Sequence, residues 1–252
     1  MFKKLLIGAL FAVGILCHAT AAGFSDEDLT YVVEYKWGLI NKDAGTATLS
    51  LRHDGNRYNA QLTAKTLPWA DKFYRVRDTL SVTMKKQSLN PDVYRKISHE
   101  GGSYSLDVVK YTHSGSDVIG NVTRLRQKKN TATTMRSDTT LYSTGSTFDM
   151  LSVFYYLRQL DYSSMSTGAR ITTGIFSGKS LEKLTVTYRG VQQINVRNKT
   201  WSAHYLTFSF THNGKSTGET MTTWISVDSP HIPLKVVGKL AVGKVQAFYT
   251  GS

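Results

Sequence analysis

Apolar and polar residues alternate almost one for one along most of this chain, and no other feature narrows its possible folds so far. Tyr31, Val33, Tyr35, Trp37 and Leu39 fall on one face of an extended segment, with Thr30, Glu34 and Lys36 on the other. Because successive side chains of a strand point to opposite faces, the pattern predicts a half-buried β-strand. Ala47, Leu49 and Leu51 repeat it, an Asp54-Gly55 pair supplies a tight hairpin turn, and Tyr58, Ala60, Leu62 and Ala64 repeat it again. Further strands are predicted over 73–86, 92–99, 104–113, 118–127 and 131–142. After a break they resume over 170–176, 181–189, 191–196, 203–211, 217–227, 234–240 and 245–250, with a second hairpin signal at Asn213-Gly214.

In the break the period changes. Leu151, Phe154, Tyr155 and Arg158 fall at helical spacing behind Ser146 or Thr147, either of which can cap a helix, so a helix is predicted from Thr147 to Leu160. Many strands without repeated crossover helices imply antiparallel pairing, and a sheet of that many strands curls rather than staying flat. The expected fold is all-β and mainly antiparallel: a strongly curved sheet, an open barrel or half-barrel, with one substantial helix near residues 147–160 plugging or lining its concave face. No linker rich in proline or glycine divides the chain, so residues 23–252 read as a single domain.

Residues 1–22 read as a secretory signal peptide: Lys3 and Lys4, an apolar run from Leu5 to Leu16, then a small-residue cleavage pattern at Ala19, Thr20 and Ala21. The run is shorter than the roughly 20 apolar residues a spanning helix needs, and no later segment approaches that length. Cys17, the only cysteine, lies inside the signal, and Leu16 before it lacks the small side chain of a lipidation site, so the mature chain has no disulfide. The expected destination is the periplasm, with secretion or outer-membrane association as alternatives. An integral outer-membrane barrel fits less well, because the predicted connections are uniformly short. The formal charge of +13, lowered by two to +11 when Lys3 and Lys4 leave with the signal, points to anionic partners. For an exported protein these are phospholipid headgroups, lipopolysaccharide or acidic glycans rather than nucleic acid.

The segment Phe148-Asp149-Met150-Leu151-Ser152-Val153-Phe154-Tyr155-Tyr156-Leu157-Arg158 resembles the helix signature of an exported bacterial family known as domain of unknown function 3108. Trp224-Ile225-Ser226-Val227-Asp228 with Ile232-Pro233 resembles that family's tryptophan-serine-aspartate strand, with Val227 standing where relatives often carry an acidic residue. Val76-Arg77-Asp78, Pro91-Asp92-Val93-Tyr94 and Val242-Gly243-Lys244-Val245 are similar to its other landmarks, so the likeness covers nearly all of the mature chain. It implies export and one β-rich domain, and it carries over no catalytic residue.

Candidate chemistry is sparse. Gly174, Gly178, Lys179 and Ser180 imitate a phosphate-binding loop with one residue missing, and a turn between strands fits them better. The histidines are scattered, and His204 and His212 share a strand face without a third ligand nearby, so no metal site is assigned. Asp149 and Arg158 suit the two ends of a helix dipole. Arg124, Arg126 and Lys128 recur every second residue and project from one strand face, which is read as a solvated barrel exterior or, functionally, as an anion-binding row. Asp78-Thr79 and Asp138-Thr139 resemble short O-glycosylation sites. The aromatic positions exceed what filling demands, so a ligand-binding face is expected at Trp37, Phe154, Tyr155, Arg158, Trp224 and Asp228. The sequence assigns no catalytic residue, metal or cofactor. The leading expectation is a non-enzymatic binding or chaperone-like protein for a lipid, lipoprotein or other amphipathic envelope component. The alternative is binding or processing of anionic envelope glycans.

Overall fold

The computed structural model describes residues 23–240 and 242–251, so the segment expected to be a signal peptide, with Cys17, lies outside the described residues. The first half of the chain forms β1 (Glu27–Trp37), β2 (Ile40–Asp54), β3 (Arg57–Thr66), the short helix α1 (Pro68–Asp71), β4 (Val76–Lys85), β5 (Pro91–Glu100), β6 (Ser103–Ser114), β7 (Asp117–Gln127) and β8 (Thr134–Thr144). The second half forms β9 (Thr147–Phe148), α2 (Ser152–Arg158), a 3-10 turn (Tyr162–Ser164), β10 (Arg170–Phe176), β11 (Leu181–Val196), β12 (Lys199–His212), β13 (Lys215–Ser226), β14 (Pro233–Lys239) and β15 (Lys244–Gly251).

The fifteen strands of the described residues belong to one sheet, in the order β8-β7-β6-β5-β4-β3-β2-β1-β15-β14-β13-β12-β11-β10-β9. The chain thus meanders away from β1 in one direction, crosses through α2, and meanders back to pair β15 with β1. Every pairing is antiparallel except the short parallel contact of β9 with β10, as the alternation and the hairpin signals predict. At the β12–β13 hairpin, Asn213 and Gly214 both take the left-handed conformation that a two-residue turn requires.

The sheet rolls into a nearly closed, barrel-like wall. Its two edge strands meet where the Thr147 hydroxyl donates to Ser143 Oγ at 2.8 Å. The roll overlaps slightly rather than closing flush. Phe176, at the end of β10, is fully buried against the concave side of β6 and β7, stacking on Tyr111 with centroids 5.5 Å apart. It fits there because Gly120 has no side chain: a Cβ at that position would stand 2.6 Å from the Phe176 ring.

The predicted helix is present but shorter than the span assigned to it. Thr147 and Phe148 are drawn into β9 by pairing with Gly174 and Ile175, and α2 begins only at Ser152. Asp149, not Ser146 or Thr147, satisfies its first amides, accepting from the backbone N–H groups of Leu151 and Ser152 at 2.8 Å each. α2 lies against the concave face and fills one end of it, with Tyr155 and Leu157 wholly buried.

A second, smaller apolar cluster lies on the opposite face of the wall. Ile225 belongs to the main core while its neighbour Trp224 joins Val196, Ala203 and Leu234 outside it. The β11–β12 hairpin covers this cluster like an arm, and its tip reaches β2, where Arg197 pairs with Asp43 at 2.9 Å.

Candidate functional site

Strand register arranges the concave face in rows that change character from one side to the other. One row runs from β1 to β7 as Leu29, Leu49, Leu62, Leu80, Lys96, Asp107 and Arg124. The next runs as Tyr31, Ala47, Ala64, Asp78, Ser98, Ser105 and Arg126. Because all these residues share one pleat face, a continuous floor passes from aliphatic to charged across the sheet.

The charged side is built around one carboxylate. Asp107 is buried and accepts from Arg124 Nε at 3.0 Å and from Arg126 Nη2 at 2.5 Å. Arg126 Nη1 also donates to the carbonyls of Leu106 and Leu125, which fixes its orientation. Gly178, in the β10–β11 turn, packs against Asp107 so closely that a Cβ there would stand 3.0 Å from its side chain. The phosphate-loop imitation is therefore a turn whose glycine permits close approach. Two guanidiniums share a single acid, leaving net positive charge, and side chains of this pair are 24% and 30% exposed.

Two strands away, Asp78 sits beside Glu100. Burial, then the adjacent Glu100 carboxylate, pushes the Asp78 carboxyl up to about 6. Asp78 Oδ1 and Ser98 Oγ are buried on adjacent strands, and neither makes a well-aligned hydrogen bond among the described residues.

The opposite end of the concave face is closed by α2. The Arg158 side chain is 0% exposed and grips Glu27 with both nitrogens, at 2.5 and 2.9 Å. Its Nε donates to the His231 carbonyl at 3.0 Å, and the guanidinium lies 4.7 Å from the Phe24 ring centroid. His231 Nδ1 returns a bond to the Arg158 carbonyl at 2.8 Å. Below it, Tyr162 stacks on His204 at 4.2 Å, and burial followed by the nearby His231 lowers His204 to about 4, so its ring is neutral and structural. His212, on the same strand, is exposed. Among the described residues no group of His, Cys, Asp and Glu is arranged to hold a metal ion.

The structure scatters the expected ligand-binding residues. Phe154, Tyr155 and Arg158 gather on α2, where Tyr155 and Arg158 are buried in the closed end. Trp224 lies on the opposite face of the wall, stacked on Tyr205 at 4.8 Å with Lys235 Nζ 4.9 Å above it. Asp228 is exposed in the β13–β14 connection, and Trp37, 53% exposed, ends β1 at a hairpin tip. Arg124 and Arg126 do stand together, but the solvated-exterior reading fails for them, because pairing with Ser137 and Met135 on one side and Asp107 and Ser105 on the other turns them into the concave face. Lys128 falls beyond the end of β7 and is exposed. Sequence reasoning took Asp78 for a family landmark and part of a short glycosylation-like motif, and it missed Lys96, Ser98, Glu100 and Asp107. A signal was present for Asp78, a polar residue between the apolar Val76 and Leu80 on one strand face, and for Asp107, which precedes Val109 and Tyr111 on another.

A family model described as "Protein of unknown function (DUF3108)" matches residues 30–250. No curated protein matches the sequence. Among solved structures, the chain is similar to a β-barrel-like protein of domain of unknown function DUF1849 from Brucella abortus, with a TM-score of 0.60 at 9% identity, covering 90% of this chain and 97% of that one. At that identity the likeness concerns the fold alone.

Proposed function

Because the chain belongs to the DUF3108 family, whose function is unknown, we propose from its geometry that it is an exported, non-enzymatic binding protein for an amphipathic envelope component, a lipid or lipoprotein. The carrying observation is the graded floor of the concave face, in which Leu62 and Leu80 lead through Lys96 to the Arg124–Asp107–Arg126 cluster. An anionic headgroup would meet guanidiniums with net positive charge, and an acyl or other apolar part would lie along the half-buried leucines.

Native mass spectrometry of the mature protein, isolated without detergent, tests this. A bound amphipath is expected on the wild type and is lost or strongly reduced in Arg124→Gln/Arg126→Gln. Protein that carries nothing under any gentle isolation overturns the reading. The glycan alternative draws on a different place, the stacked Tyr205–Trp224 pair beneath Lys235, a flat aromatic platform with a cation above it. It predicts binding of an acidic oligosaccharide that Trp224→Ala abolishes and the arginine variant leaves intact. Arg158 has no part in it, being sealed by Glu27.

A further inference from the structure

Among the described residues, six of the ten exposed large hydrophobics gather at one end of the wall: Trp37, Leu39, Phe73, Tyr74, Leu240 and Val242. Single apolar residues on a surface need no explanation, but a concentration on adjoining turns does. These turns do adjoin. Lys244 of β15 pairs with Lys36 of β1, which sets the β14–β15 and β1–β2 turns side by side. Tyr35 donates its hydroxyl to the Val242 carbonyl at 3.1 Å, and Gly243 packs on Lys36 and Trp37 so tightly that a Cβ would stand 2.4 Å from the Lys36 carbonyl oxygen. On the other flank the Lys42 ammonium lies 4.4 Å from the Trp69 ring centroid, and Trp69 meets Phe73 edge to face at 6.3 Å.

The same end carries an unusual charge arrangement. Lys239, Lys244 and Lys36 stand directly opposite one another on β14, β15 and β1. Like charges in register weaken a sheet, so this row is a cost that an external anion would relieve. Of the nearby acids, Asp43 pairs with Arg197 and Asp71 with Arg77, while Glu34, which accepts from the neutral Gln246 amide, is a single carboxylate beside the three lysines. The result is an apolar, tryptophan-bearing rim beside a lysine row that one carboxylate leaves with net positive charge. Interfacial segments have this composition, with aromatic rings at headgroup depth and cations facing lipid phosphates.

We propose that this rim is a docking edge for an anionic phospholipid surface, with Trp37, Leu39, Phe73 and Val242 entering the headgroup layer and the lysine row facing the phosphates. Charge complementarity selects this occupant. A second copy seated on the rim by two-fold symmetry would bring the lysine row against itself. The edge also adjoins the charged part of the concave face, because Tyr74 donates to Glu100 at 3.3 Å, but the proposal stands whether or not that face binds anything.

Co-sedimentation of the mature chain with vesicles, read together with tryptophan fluorescence, tests it. Vesicles of phosphatidylcholine containing phosphatidylglycerol should bind at least about tenfold tighter than phosphatidylcholine alone, with blue-shifted emission and binding that weakens as salt rises. Trp37→Ser/Phe73→Ser should lower that affinity about tenfold, and Lys36→Gln/Lys244→Gln should remove the preference for anionic vesicles. Circular dichroism should be unchanged in both, since their side chains are at the surface. Arg124→Gln/Arg126→Gln should bind vesicles as the wild type does, which separates this edge from the concave-face reading. Equal binding to the two vesicle types, binding unaffected by either rim variant, or concentration-dependent self-association that Trp37→Ser abolishes would overturn it.

Discussion

The two ends of the concave face handle buried charge in opposite ways. At the α2 end a single arginine meets a single glutamate in bidentate geometry, with every neighbour committed to the fold. At the open end two arginines share one aspartate, and a second aspartate is held beside a glutamate. A closed ion pair fixes one arrangement of the chain, whereas an unbalanced cluster keeps interaction capacity in reserve. Under the proposed function, stability and recognition fall to different ends of one surface.

The sharpest way to break this contrast is to cut an arginine at each end. Arg158→Ala leaves Glu27 as an uncompensated charge with 10% exposure and removes the ring contact with Phe24, so a loss of roughly 3–5 kcal/mol in denaturant unfolding is expected. Arg126→Ala leaves Asp107 still paired with Arg124, and about 1 kcal/mol is expected. Equal losses at the two sites would erase the distinction. At the seam between the two halves of the chain, Phe176→Ala should cost about 3 kcal/mol, because it opens a cavity beneath Gly120 and Tyr111. A smaller loss would mean that the overlapped edge collapses to fill it.

The two ends also share a pH dependence that can be dissected. Burial pushes Asp149 up to about 6 from an ordinary 3.8, despite the backbone amides that favour its charged form. The folded protein therefore holds this proton more tightly than the unfolded chain does, and stability falls as pH rises from about 4 through about 6 and is flat above. Asp78 adds to the same limb, and Asp71, held at about 2 by Arg77 and then Thr66, adds an opposite one, with stability lost as pH falls below about 4. Asn at position 149 can keep the oxygen that accepts from Leu151 and Ser152 while removing the charge. Asp149→Asn should be more stable than wild type at pH 7.5 by about 3 kcal/mol less what the lost bond from the Ser152 hydroxyl contributes, with the gap closing near pH 4. A gap that persists at pH 4 would assign the effect to something other than the buried charge.

The wall itself was legible in the sequence because it rests on local information. Alternation places side chains, and Asp54-Gly55 and Asn213-Gly214 place turns, so β10 begins and ends where the sequence predicts. What escaped was set by partners far along the chain. Thr147 and Phe148 look helical until Gly174 and Ile175 offer a strand to pair with, and the role of Arg158 depends on Glu27, 131 residues earlier. The arginine row was legible as a row, but its direction was not. A two-residue period says that Arg124 and Arg126 share a face without saying which one, and only Asp107 across the β6–β7 pairing settles that they turn inward.

That ambiguity yields the smallest expected effect. Arg136 lies one strand over on β8 and pairs with Asp138 at 2.9 Å, but it projects from the convex side and both side chains are more than half exposed. Water already solvates both groups there, and the ordering of two flexible side chains offsets most of what their attraction contributes. Arg136→Ala should therefore leave the denaturation midpoint where it is and preserve any bound amphipath seen by native mass spectrometry. It carries the same residue type and the same kind of partner as Arg158 and Arg126, so burial and facing direction are what differ. A midpoint shift in Arg136→Ala comparable to that of Arg158→Ala, or loss of the bound species, would show that the convex surface takes part in what is here assigned to the concave one.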